Sequence, residues 1–123
     1  WGGVAMADLL RLVRPAPNAR AVVFYSFGGG VALNEGVTGG QYYDSLSMDN
    51  ALNIQTLLAY EMNYEPLDRY HGGPLRLRVE NQLGFKMVKW IEAIEFVENA
   101  ASIYKGEGGY AEDNEYFGEL ASI

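Results

Sequence analysis

The spacing of hydrophobic and polar positions changes along the chain, and each spacing predicts a different element. Apolar residues recur at helical intervals between Val4 and Val13, and Pro15 ends the pattern, which predicts a short helix over Ala5–Val13. The next segment, Arg20–Ser26, is rich in β-branched and aromatic residues. Such a composition is typical of a strand.

The middle of the chain predicts two further strands joined by a short helix. QYYDSL (41–46) and TLLAYEM (56–62) both have strand character, and Ser47 is placed to cap one or two helical turns through Leu52. Between Gly28 and Gly40, six of thirteen residues are glycine, which favours a flexible loop.

A Gly-Gly-Pro turn at Gly72–Pro74 introduces the most regular alternation. Through residues 75–80 apolar positions alternate with polar ones, which predicts a half-buried strand with Arg76 and Arg78 on its other face. The segment WIEAIEFVE (90–98) fits either a strand or a helical turn; we favour a strand with a register break.

Composition indicates one domain at most and argues against several classes of function. With 123 residues, 49% of them hydrophobic, the chain can build a real core. A net charge of −7 argues against a nucleic-acid partner, because duplex binding needs a basic face. No cysteine is present, which excludes disulfides and thiolate ligands within these residues, and no apolar run is long enough to span a membrane. Residues 105–123 predict an acidic surface loop or tail.

Positive charge is concentrated although the chain as a whole is acidic. Five of the nine basic residues lie between Arg69 and Lys89. A Gly-Gly turn, the planar guanidinium of Arg76 and the ammonium of Lys89 would suit a phosphate and the polar atoms of a large cofactor. The alternatives are a solvated strand face paired with glutamates and, for His71, an ordinary turn histidine.

Several other kinds of site are disfavoured. Gly28–Gly30 follows a predicted strand but lacks the Lys-Ser/Thr of a nucleotide phosphate loop. The carboxylates of Glu112, Asp113 and Glu115 match no calcium loop. With one histidine and no nucleophile elbow, a Ser-His-Asp set has no support.

The order of motifs resembles a known family. The chain contains, in this order, the segments WGGVAMADLL, AVVFYSF, YYDSLSMDNAL, LLAYEMNYEPL, HGGPLRLRV and GFKMVKWI. This series resembles the molybdopterin-binding domain of the sulfite oxidase family. It is most similar to the bacterial branch with the periplasmic methionine sulfoxide reductase. The resemblance covers Trp1 to about Phe117. It implies an α+β, mixed and β-rich domain, of which residues 1–123 are a part truncated at its N-terminal side.

The resemblance also implies site residues by position. Ser26 matches a threonine that reaches the cofactor in the bacterial branch, and Tyr104 matches a tyrosine that faces the substrate oxyanion, with Tyr110 as a competitor. The positions matching contacts to the molybdopterin cofactor in the HGxPxR turn and before the tryptophan are His71, Arg76, Met87, Val88 and Lys89.

Two departures from the family pattern matter. Tyr64 replaces a glycine in the turn before Pro66, so a bulky residue must adopt a backbone suited to glycine. The family's molybdenum-binding cysteine precedes the tryptophan that matches Trp1, and this chain has none. We therefore expect this chain alone to be inactive, with no metal ligand of its own.

The resemblance implies oxygen-atom transfer to or from a small sulfur-type substrate when the domain is complete, with a haem or quinone-linked electron-transfer partner. The compartment, bacterial periplasm or cytoplasm, stays open. The alternatives are a cofactor-free, non-catalytic binding module and a cleft for another anionic small molecule. Because a truncated sheet exposes its edges, we also expect a homo-oligomer.

Overall fold

The computed structural model describes residues 1–26, 43–82 and 86–99, and they form two antiparallel sheets and two short helices. The predicted loop at Gly28–Gly40, the predicted tail at 105–123 and Tyr104 lie outside the described residues. None of the helices in the described part of the chain is long and apolar enough to cross a membrane.

The first sheet is built around one central strand. Strand β4 (Leu57–Met62) pairs antiparallel with β1 (Gly2–Ala5), β5 (Glu65–Pro66) and β6 (Arg76–Arg78). Ala59 of β4 is in register with Gly3 of β1 and also with Arg76 of β6, so β1 and β6 flank β4 on opposite sides. The start of the described chain is thereby placed near the predicted arginine strand.

The second sheet has the order β3-β2-β7, with β2 (Ala21–Ser26) between β3 (Tyr43–Ser47) and β7 (Ile91–Val97). Tyr25 pairs with Ala93 whereas Ser26 pairs with Ile91, so the register shifts by one residue at this end. The predicted strand with a register break at residues 90–98 is confirmed.

The helices begin and end close to their predicted limits. Helix α1 is Met6–Val13, and Arg14 at φ 49° ends it by donating its N–H to the Leu10 carbonyl. Helix α2 is Met48–Ala51, and the Ser47 hydroxyl accepts the Asn50 N–H, as the predicted cap requires.

The hydrophobic core joins both sheets and α1. Its buried members come from α1, from β2 and β3, from β4 and β6, and from the segment that leads into β7, and they include Met6, Leu10, Val22, Phe24, Leu46, Leu58, Leu77, Val79, Val88 and Ile91. Since Leu77 and Val88 are core residues, the segments that carry Arg76 and Lys89 are held by packing as well as by hydrogen bonds.

Strand β6 is shorter than the alternation through residues 75–80 predicts. Among these residues, Arg76–Arg78 pair with β4. The carbonyls on either side bond elsewhere: the Leu75 carbonyl accepts the Ile91 N–H at 3.0 Å, and the Val79 carbonyl accepts the Gln82 N–H at 3.0 Å. The alternation correctly predicted that Leu77 and Val79 are buried, but the strand is not half-buried at Arg76, which is buried on the other face.

The turn between β4 and β5 uses a left-handed backbone. Asn63 has φ 54° and Tyr64 has φ 66°, which is the conformation that two-residue hairpin loops favour and that glycine or asparagine adopts most easily. The prediction that Tyr64 takes a glycine-type backbone is confirmed. Its side chain is fully exposed, so the ring meets no packing constraint there.

Candidate anion-binding site

Gly72 brings the two central cations of the predicted cluster together. Its φ is +100°, and a Cβ built on it would lie 2.8 Å from Lys89 Cγ and 3.1 Å from Arg76 Cβ. Both side chains therefore approach the bare backbone of this turn from different parts of the sequence. A glycine is required here by backbone conformation and by the close approach of both neighbours.

Arg76 is buried, with 7% of its surface exposed, although it is charged. Its NH1 donates to the His71 carbonyl at 3.0 Å and its Nε to the Leu77 carbonyl at 3.4 Å. Burial, and after it the neighbouring charge of Arg78, lower the pKa of Arg76, while Glu80 acts in the opposite direction. Of five N–H donors, these two bonds use two.

Arg78 differs from Arg76 because its charge is neutralised. Its Nε and NH2 donate to the two carboxylate oxygens of Glu80 at 2.9 and 3.0 Å. The interpretation of a solvated arginine face paired with glutamate therefore fits Arg78, whose side chain is 20% exposed. It is wrong for Arg76, which is buried and forms no ion pair with a described residue.

Lys86 is one of the five basic residues between Arg69 and Lys89, but it does not contribute to the anion-binding site. It is 1% exposed, and its Nζ donates to Asp44 Oδ1 at 2.9 Å and to the Ser45 carbonyl at 3.1 Å. The lysine thus anchors the segment before Lys89 to β3. An aspartate within an otherwise buried strand was the signal in the sequence that a cation had to reach it.

Lys89 lies over the turn that carries His71. Its Nζ donates to the Tyr70 carbonyl at 3.2 Å, and no described carboxylate pairs with it. The next residue, Trp90, fixes this position: its main-chain N–H donates to the Gly72 carbonyl at 3.1 Å and its Nε1 to the Arg69 carbonyl at 2.7 Å. Two distant segments are therefore joined at the site.

Met87 and Val88 precede Lys89 and pack into the protein interior. Their side chains are buried, at 6% and 1% exposure, and the Val88 carbonyl accepts the Leu77 N–H at 2.9 Å. Ser26 is buried as well and is paired with Ile91, two residues after Lys89. Ser26 therefore lies at the end of the central strand of the second sheet, beside the start of β7.

His71 is paired with Asp68, a residue that the sequence interpretation missed. Its Nδ1 lies 2.8 Å from Asp68 Oδ1, and its main-chain N–H donates to the same oxygen at 2.8 Å. Since an ionised carboxylate only accepts hydrogen bonds, the proton of the ring lies on Nδ1. The side-chain and main-chain bonds from His71 lower the pKa of Asp68 below its ordinary value of 3.8.

The Asp68–His71 pair predicts a pH-dependent contribution to stability. Because the folded pKa of Asp68 is lowered, the contribution is complete above the ordinary value of 3.8 and is lost as the pH falls through the folded pKa. We expect Asp68→Asn to melt at a lower temperature than wild type near neutral pH. The difference should shrink as the pH falls below 3.8 and through the lowered pKa of Asp68.

Thermal unfolding of both proteins from pH 2 to 7 measures this difference. Asp8→Asn, which removes an exposed carboxylate paired with Arg11, is the control. A melting difference for Asp68→Asn that stays constant through the acidic range would contradict the assigned contribution of the pair.

Trp1 makes a further contact that the sequence interpretation missed. The Arg76 Cζ lies 5.0 Å and the Arg78 Cζ 4.4 Å from its ring centroid. Trp1 also borders a cavity of about 300 Å³ whose described lining includes Glu61 and Tyr64. Aromatic stacking on arginine leaves no local sequence pattern, so periodicity gave no signal for it.

The described residues contain no group of three or more histidine, cysteine, aspartate or glutamate side chains that is arranged to hold a metal ion. What the site offers is a set of cationic and N–H donors. Such a set suits an anionic group.

Comparison with known proteins places the chain in a family. The family model described as "Oxidoreductase molybdopterin binding domain" matches residues 1–105. The chain belongs to this family, and the predicted resemblance and the β-rich α+β fold are confirmed. It is therefore part of a molybdopterin-binding oxidoreductase domain of the sulfite oxidase family.

Individual relatives agree with this assignment. Sulfite oxidase of Arabidopsis thaliana is 40% identical over 106 residues, which cover 79% of this chain and 26% of that protein. The catalytic subunit MsrP of the protein-methionine-sulfoxide reductase of Gluconobacter oxydans is 36% identical, covering 80% of this chain and 33% of the subunit. The chain thus spans about a quarter to a third of the length of these relatives.

A solved structure shows the same fold. The sulfane dehydrogenase SoxCD of Paracoccus pantotrophus superposes with a TM-score of 0.63 at 25% identity, over 79% of this chain and 22% of the SoxCD chain. The family-wide cofactor is the molybdenum cofactor.

The cationic and N–H donors around Gly72 fit a phosphate-bearing group such as this cofactor. Gly72 has no side chain where a Cβ would collide with Arg76 and Lys89. Arg76 has three N–H donors beyond its two main-chain bonds, and neither cation is paired with a described carboxylate. The charge of both residues is thus available to an anion.

Proposed function

We propose that this chain holds the molybdenum cofactor through Arg76, Lys89 and the turn at His71, within an oxidoreductase that transfers an oxygen atom to or from a small sulfur-type substrate. The observation that carries the proposal is the approach of Arg76 and Lys89 to the bare backbone of Gly72, with neither cation paired to a described carboxylate. The sulfur substrates named for sulfite oxidase and for the methionine-sulfoxide reductase subunit support the substrate class.

Each residue has a separate part in binding. The guanidinium of Arg76 binds a phosphate oxygen through its planar edge, and Lys89 adds a positive charge beside it. Asp68 holds the His71 ring with its proton on Nδ1, so Nε2 is the ring atom that orients a polar group. Met87 and Val88, whose side chains are buried, contribute backbone groups beside Lys89.

The cofactor, when bound, supplies the two-electron oxygen-transfer chemistry, and the protein supplies binding, orientation and charge. Ser26 adds a hydroxyl near the start of β7, and Tyr104 stabilises a substrate oxygen. Electrons pass to or from a haem or quinone-linked partner protein. The expected homo-oligomer stays a prediction, which light scattering of the purified protein tests.

Substituting the two cations tests the proposal. In the full-length protein, purified from a host that makes the cofactor, Arg76→Ala and Lys89→Ala should each weaken cofactor binding by about 10- to 100-fold, the value of one charge-assisted hydrogen bond. Molybdenum per chain and pterin fluorescence after oxidative release measure the loss. Arg11→Ala, on the exposed face of α1, is the control.

Unchanged molybdenum and pterin contents in Arg76→Ala and Lys89→Ala would refute the assigned binding residues. A wild-type protein with neither molybdenum nor pterin would instead support the cofactor-free binding module.

A further inference from the structure

The two arginines of β6 lie on one face of the strand, and one aromatic ring contacts both. Arg76 and Arg78 are two positions apart, so their side chains project in the same direction and their charges repel. The ring of Trp1 lies within 5.0 Å of the Arg76 Cζ and 4.4 Å of the Arg78 Cζ. An indole face attracts both cations through its quadrupole and so offsets their repulsion.

The ring reaches the arginines across β4, the strand between β1 and β6. Ala59 of β4 is in register with Arg76 and with Gly3 of β1, and a Cβ on Gly3 would collide with the Leu58 carbonyl, so the missing side chain lets β1 approach β4 closely. Ala59 is 0% exposed, so this face is covered. The position of β4 beside Arg76 therefore carries no side chain larger than a methyl group.

The two guanidiniums differ in what else they bind. Glu80 neutralises Arg78 with two hydrogen bonds, whereas the partners of Arg76 among the described residues are main-chain carbonyls and the ring. A carboxylate partner for Arg76 would compete with an anionic ligand for the same N–H groups. Stacking uses the face of the guanidinium and leaves its N–H edge available.

We propose that Trp1 is a positioning residue for Arg76: its ring fixes the plane of the guanidinium so that the N–H edge is presented to the anionic group of the cofactor. The proposal rests on the proposed function, since it assigns a residue that prepares Arg76 for that ligand. Trp1 acts through Arg76 and needs no contact with the ligand.

Trp1→Leu and Trp1→Met test this role because both keep apolar bulk and remove the aromatic face. In the full-length protein each should raise the dissociation constant of the cofactor by about 5- to 30-fold, the value of a partly desolvated cation–π pair. The readout is the rate of pterin loss on dialysis, with thermal unfolding to show that each variant folds. Trp1→Phe should restore retention to within about threefold of wild type.

Two comparisons separate positioning from a general structural effect. Tyr60→Leu removes a ring from the same sheet with the same 47% exposure as Trp1, and it should leave pterin retention unchanged. Because Trp1 acts through Arg76, the double variant Trp1→Leu with Arg76→Ala should lose pterin no faster than Arg76→Ala alone.

The outcomes distinguish the two proposals. Wild-type retention in Trp1→Leu and Trp1→Met, together with rapid loss in Arg76→Ala, would overturn the role of Trp1 and leave the proposed function intact. Equal losses in Trp1→Leu and Trp1→Phe would also overturn it, because the aromatic face would then be irrelevant. Wild-type retention in Arg76→Ala would overturn both proposals.

Discussion

Lys86→Met is expected to lower the free energy of unfolding by about 3–5 kcal/mol, the cost of removing one partner from a buried ion pair. Lys86 is 1% exposed and Asp44 is equally buried, and their side chains meet at 2.9 Å. Methionine fills nearly the same space, so the loss arises from the carboxylate that remains in the core without its cation. Urea unfolding followed by far-UV circular dichroism measures the change.

Two further variants identify the cause of this loss. The double variant Lys86→Met with Asp44→Asn removes both charges and should recover part of the stability, because no buried charge is left uncompensated. Arg11→Met removes one partner of an exposed pair, with side chains 77% and 55% exposed, and should cost less than about 1 kcal/mol. Equal losses in Lys86→Met and Arg11→Met would contradict the importance of burial.

Gly72→Ala is expected to have the second large effect, on stability and on cofactor content together. The substitution forces a side chain into φ +100° and places its Cβ 2.8 Å from Lys89 Cγ and 3.1 Å from Arg76 Cβ. Backbone strain of this kind costs about 1–3 kcal/mol. Because both cations must move, molybdenum per chain should fall about tenfold or more if one charge-assisted bond is lost.

Gly2→Ala is the matched control for the effect on stability. The atoms nearest to a Cβ at Gly2 belong to the side chain of Glu61, at 3.1 Å or more, and Glu61 can shift. Urea unfolding and metal analysis of both variants give the comparison. Full molybdenum content in Gly72→Ala would show that the turn tolerates the side chain and that the close approach has no bearing on binding.

Local patterns predicted most elements because each has a short-range cause. The apolar spacing before Pro15 gave α1, the hydroxyl of Ser47 gave the cap of α2, and alternation gave β7 with its register break. What the patterns could not give was pairing between distant strands. Strand β4 pairs with β1 through residues more than fifty positions apart and with β6 through residues 17 to 21 positions apart, and no local period records such pairings.

The same distinction between local patterns and contacts of distant residues applies to the candidate site. The Gly-Gly-Pro turn and the cations at Arg76 and Lys89 were predicted from composition and family resemblance, and the structure brings these two residues to one turn. Their role in binding stays a prediction. The contacts of Trp1 with Arg76 and of Lys86 with Asp44 were missed, because they join side chains that only the folded chain brings together.

Residues 86–91 join the two sheets. Lys86 bonds to Asp44 in the second sheet, the Val88 carbonyl bonds to Leu77 in the first, and Ile91 begins the edge strand of the second. A ligand bound by Lys89 is therefore thermodynamically linked to the docking of one sheet on the other. By mass action, each tenfold rise of the free ligand above its dissociation constant adds about 1.4 kcal/mol to the stability of the docked form, provided that the ligand binds this form alone.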